Sequence, residues 1–122
     1  MSQIKSYTDI EQSKKLAEIL PLESADLHYS FDLDFEEIEN IPTVTEEDDH
    51  FTLFSKDIPC WSLAALLSVM ICPNLEEYIK GKWDMTVFTN SSLKTPIEVQ
   101  DCKSAVDACY EMIIKLKELK LL

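Results

Sequence analysis

From Asp26 to Phe35 the residues alternate without a break. Leu27, Tyr29, Phe31, Leu33 and Phe35 fall on one side, and Asp26, His28, Ser30, Asp32 and Asp34 on the other. Successive side chains leave opposite faces of a strand, so period two calls for extended backbone and is incompatible with a helix of 3.6 residues per turn. The segment is expected to form a half-buried strand, with its apolar face on a core and its carboxylates in water. Neighbouring carboxylates would stand about 7 Å apart along the outer face. Phe51 to Phe54 reads as a second short strand able to pair antiparallel with the first.

The same region holds the charge. The chain has 23 acids against 11 bases, all lysine, and a net charge of −12. Residues 26–57 carry eleven of the acids and one lysine, Lys56, a net −10, so the remainder is close to neutral. Such a field repels a phosphate backbone, and the absence of arginine removes the side chain that best forks onto phosphate. Nucleic acid is not an expected ligand. A solvated face that keeps the protein soluble is the simpler account of the charge, but a wall of one sign also steers a partner of the other. The candidate partner surface is Asp26, Asp32, Asp34 and Glu36 with Glu46, Glu47, Asp48 and Asp49 of the following loop.

Around this strand the chain reads as mixed helix and strand. Thr8-Asp9-Ile10-Glu11 has the form of a capping box opening a helix that Pro21 ends at Leu20. Residues 36–50 are polar, contain Pro42, and read as an exposed acidic loop. Leu63 to Ile71 leaves no polar face, so a helix entered through Ile58-Pro59-Cys60 and ended by Pro73 is expected to be the central, covered one, with Trp61 anchoring the core. Asn74 to Lys80 suggests a short helical turn. Gly81 marks a tight turn, Trp83 to Thr89 a strand, Asn90 to Ser92 a second turn, and Ile97 to Val99 an edge strand after Pro96. Ser104 and Asp107 cap a last helix striped by Ala105, Cys109, Met112, Ile113, Leu116 and Leu119, with Lys115, Lys117 and Lys120 near its negative end. The expected fold is α+β, one domain over residues 1–122: a small antiparallel sheet of three to five strands, the central and C-terminal helices packed on one face.

Chemical motifs fare poorly. Asp32 to Glu36 imitates the start of a calcium loop, yet Glu37 and Thr43 stand where that loop needs glycine and glutamate. Glu46 to His50 would hold a hard cation only loosely. Cys60 near a helix start is a weak nucleophile candidate, because His28 points to solvent and no other base is evident. One glycine in the whole chain leaves no phosphate-cradling loop. The four cysteines, Cys60, Cys72, Cys102 and Cys109, lack metal-ligand spacing and sit beside apolar runs, which suits reduced core thiols. The N-terminal residues lack the apolar core of a signal peptide, and no apolar run reaches the roughly 20 residues a bilayer needs, so a cytoplasmic location is expected.

Ile58-Pro59-Cys60-Trp61-Ser62-Leu63-Ala64-Ala65-Leu66-Leu67, the strand centred on Trp83, and Ala105 to Ile113 make an ordered set that resembles small uncharacterised proteins of gut anaerobic bacteria, their phages and mobile elements. The resemblance covers the second half of the chain and part of the first. It implies a compact α+β domain from a prokaryotic or phage cytoplasm and brings no activity, cofactor or site residue with it; the acidic loop fits it least. With no cofactor, metal or catalytic set expected, the residues point to a non-enzymatic interaction or regulatory protein that meets a basic protein partner. The competing readings are a small ligand-binding or hydrolytic domain, with a pocket between sheet and helices, and a structural homo-oligomer.

Overall fold

The computed structural model describes residues 5–45, 57–70, 73–87 and 96–121. The fold is α+β, with small antiparallel sheets and a C-terminal helix packed on one of them. The backbone divides into two compact units: Tyr7–Ala65, and Leu66–Leu122 together with Met1–Ser6. Among the described residues no helix is long and apolar enough to cross a membrane.

The first unit opens with helix α1 (Ile10–Ala17). Its cap is Asp9, not Thr8: the Asp9 carboxylate accepts from the Gln12 amide, and the Gln12 side chain accepts from the Asp9 amide. The capping box is therefore real but one residue later than the sequence suggests, because Thr8 is drawn into the interior. A 3-10 turn (Leu22–Ser24) leads to β1 (Leu27–Tyr29) and β2 (Phe31–Asp32). The returning strands are β3 (Glu37–Ile38) and β4 (Thr43–Val44), and β5 (Ile58–Cys60) completes a sheet in the order β4-β1-β5. Ile58-Pro59-Cys60 is thus a strand paired antiparallel with β1, where the sequence placed the approach to a helix. Pro59 is accommodated opposite His28. Helix α1 packs against β5, and Leu16, Tyr29, Cys60 and Trp61 are buried.

Helix α2 (Leu63–Ser68) begins in the first unit and ends in the second. It is shorter and less enclosed than an all-apolar run implies: Leu66 is buried, but Ala64 is exposed. In the second unit β6 (Pro73–Ile79), β7 (Lys82–Val87) and β8 (Ile97–Cys102) form a meander in that order. The stretch from Asn74 is strand and not a helical turn, since pairing along β7 from Pro73↔Val87 to Ile79↔Lys82 outweighs its weak local preference. Gly81, at φ +84°, supplies the left-handed residue that its two-residue link requires. Helix α3 (Ala105–Glu118) starts on the Ser104 hydroxyl, which accepts from the Asp107 amide, and packs on all three strands. Its stripe is buried from Ala105 through Leu116, whereas Leu119 is half exposed. Burying Met112, Ile113 and Leu116 contributes about 1.5–3 kcal/mol each relative to exposure. The second strand expected at Phe51 to Phe54 and the turn at Asn90 to Ser92 lie outside the described residues.

Candidate interaction site

The strand expected from Asp26 to Phe35 is half of a long, irregular hairpin. At its base His28 pairs with Thr43 and Leu27 with Val44; further out Phe31 pairs with Ile38 and Asp32 with Glu37. In between, the Glu39 amide donates to the Ser30 carbonyl at 2.9 Å. The returning strand is longer by the residues around Pro42, which has no amide to give the ladder, and the register slips there. Beyond Asp32 the chain turns. The Asp32 carboxylate accepts from the Asp34 amide at 2.9 Å and the Phe35 amide at 3.3 Å, and Glu36 takes φ +52° to return the chain. An aspartate that bonds backbone two and three residues on competes directly with continued extension.

Two expectations change as a result. Leu33 and Phe35 do not face a core; they stand in the turn, 73% and 74% exposed. The carboxylates do not form one evenly spaced row. Asp26 is spent on structure: it accepts from the amide and hydroxyl of Ser62, whose oxygen accepts from the Ala65 amide and so caps α2. Asp32 shapes the turn, and Asp57 holds the Phe31 amide at 2.8 Å. Asp34 and Glu36 remain at the tip, with Glu37 and Glu39 on the return, all exposed and none ion-paired to a lysine among the described residues. Ile41 and Val44 are also largely exposed, at 72% and 65%. His28, expected in solvent, is half-buried with Nδ1 2.7 Å from the Thr45 hydroxyl. Glu46, Glu47, Asp48 and Asp49 lie outside the described residues.

Cys60 sits elsewhere in this unit and has a structural setting. It is fully buried beside Thr8, Ser13 and Tyr29. The Thr8 hydroxyl meets Ser13 Oγ at 2.7 Å and accepts from the Trp61 amide at 3.2 Å; the Thr8 carbonyl accepts from Tyr29 Oη at 2.7 Å and Cys60 Sγ at 3.4 Å. Burial pushes the Cys60 thiol and the Tyr29 phenol above their ordinary values, and the Thr8 hydrogen bond only partly offsets this for Cys60. A protonated thiol with no exposed surface is no nucleophile. Trp61 is a core anchor whose indole N–H donates to Ser24 Oγ at 2.9 Å. Nothing local in the sequence marks Thr8 as the hub of this knot.

The second unit holds an open groove of about 950 Å³ along β8 and the facing side of α3. Its polar lining includes Glu98, Asp101, Lys103, Asp107, Glu111 and Lys115, with the half-buried Cys102 among them. Lys5 pairs with Asp107 at 2.8 Å.

Compared with known proteins, the chain matches no family model, no curated protein and no solved structure.

Proposed function

We propose that the chain is a non-enzymatic interaction protein that docks a basic partner on the tip of the hairpin. The observation that carries this is the pair Leu33 and Phe35, more than 70% exposed in a turn and interleaved with Asp34 and Glu36. The fold gains little from two bulky apolar side chains held in water, whereas a partner that covered them would gain about 1.5–3 kcal/mol from each. The carboxylates between them favour a lysine- or arginine-bearing surface and speed its approach. Free thiols at Cys60, Cys102 and Cys109 are in keeping with a reducing, cytoplasmic setting.

Replacing Leu33→Ser and Phe35→Ser together is expected to change folding stability by no more than about 0.5 kcal/mol, as exposed positions do. The same pair should remove the proteins that co-purify with the chain from its host. Neutralising Asp34, Glu36, Glu37 and Glu39 as amides should weaken that capture in a way that salt reproduces. Capture unaltered by both sets of changes refutes the reading.

A further inference from the structure

We propose that the β8 edge and the groove beside it accept an extended segment of a partner protein as a fourth strand, and that this segment is basic. Sheet order β6-β7-β8 leaves β8 with a strand neighbour on one side only among the described residues. Such an edge offers backbone donors and acceptors at strand spacing, and the ligand complementary to them is another extended backbone. The groove of about 950 Å³ runs along this strand and is walled by α3, so an added segment would lie between an edge and a helix.

A second observation shows what the edge lacks. The Glu98 carbonyl on β8 accepts from Lys115 Nζ at 2.7 Å, a bond made at the surface by a side chain of α3. An edge acceptor is thus served by a borrowed donor. A lysine ammonium returns to water at little cost, since exposed charge contacts are weak. An incoming backbone N–H can take its place.

The charge of the groove selects among extended segments. Glu98, Asp101 and Glu111 outnumber Lys103 and Lys115 on its lining, and Asp107 is already paired with Lys5. Cys102 reports the local field: burial first, and then the nearby carboxylates Glu111, Asp107, Asp84 and Asp101, push its thiol above the ordinary value. A second copy of the chain would bring its own Glu98 and Asp101 to the same edge, so like charges oppose self-pairing. The Asp101 bulge interrupts backbone pairing, and Cys102, which lines the same groove just past it, lies beneath the end of a docked segment. At Asp101 φ is +60°, the amide donates to Asp84 at 3.1 Å, and the carboxylate takes the Tyr78 hydroxyl.

The test uses the full chain and three fluorescent hexapeptides: alternating lysine and valine, the same with alternate amides N-methylated, and the glutamate counterpart. The lysine peptide should bind and slow maleimide labelling of Cys102 at least fivefold, leaving Cys60 and Cys109 unchanged. N-methylation should weaken binding more than tenfold, because it removes edge hydrogen bonds and keeps the charge. Lys115→Met should tighten binding about threefold by freeing the Glu98 carbonyl. Equal binding of the N-methylated peptide overturns the proposal, since charge alone would then account for the contact. So does failure of the lysine peptide to protect Cys102, or a dimer that protects Cys102 without peptide. Leu33→Ser with Phe35→Ser should leave all these readings unaltered, which separates this site from the hairpin tip.

Discussion

Single residues decide the interior of the first unit. Thr8 is fully buried, and its hydroxyl serves both Ser13 and the Trp61 amide. Thr8→Val keeps the volume and orphans both partners, so a loss of about 2–4 kcal/mol is expected in urea unfolding. Thr8→Ser retains the hydroxyl and should cost about 1 kcal/mol, near the value of one buried carbon. Equal losses for the two variants would show that packing, not the hydrogen bonds, sets the effect. In the second unit burial holds the Cys109 thiol at about 12 against an ordinary 9.0. The folded chain keeps this proton where the unfolded chain has lost it, so the folded state binds more protons within that window. Stability from this group is complete below about pH 9 and drains away as pH rises toward 12. The urea midpoint should fall between pH 8 and pH 10.5, and Cys109→Ala should flatten that fall.

At the scale of elements, helix α3 ends in a way its sequence did not announce. The Leu121 amide donates to the Leu116 carbonyl and the Lys120 amide to the Lys117 carbonyl, with Lys120 at φ +59°. This is a Schellman closure with lysine where glycine is usual. Lys120→Gly should raise stability by about 1 kcal/mol by relieving the left-handed strain. Unchanged thermal unfolding would mean that the end frays. The start of α3 was legible, because a Ser104 cap followed by a 3.6-residue stripe is a local signal. So were β7 and the edge position of β8, with Pro96 just ahead of it. The 26–35 segment was legible only at its base: alternation held through Tyr29, and Asp32 then bonded the backbone ahead of it and folded the rest into a turn. Ile58 to Cys60 was misread because its partner, β1, lies some thirty residues away, and pairing at that distance leaves no local trace.

For the whole molecule, the charge of −12 is set by composition and acts as self-repulsion. Screening it should stabilise the fold. Between about 10 mM and about 150 mM salt the Debye length drops from about 30 Å to about 8 Å, and Tm should climb by a few degrees. A flat or falling Tm would show that the carboxylates are paired more thoroughly than Asp26, Asp32 and Asp57 already are. The amide substitutions at the hairpin tip should reduce the rise, since those four carboxylates have no lysine partner among the described residues.

The sequence by itself settled the α+β class, the place of the acids along the chain and the burial of Trp61, because composition, periodicity and caps act over a few residues. Only the tertiary structure decided which carboxylates are free to meet a partner, since that depends on the amides and hydroxyls that arrive from elsewhere in the chain. Ser62 claims Asp26 and the Phe31 amide claims Asp57 from far along the chain, whereas Asp32 is claimed locally by the Asp34 and Phe35 amides. The Asp32 turn puts Leu33 and Phe35 into water, and strand pairing leaves β8 with a neighbour on one side only among the described residues.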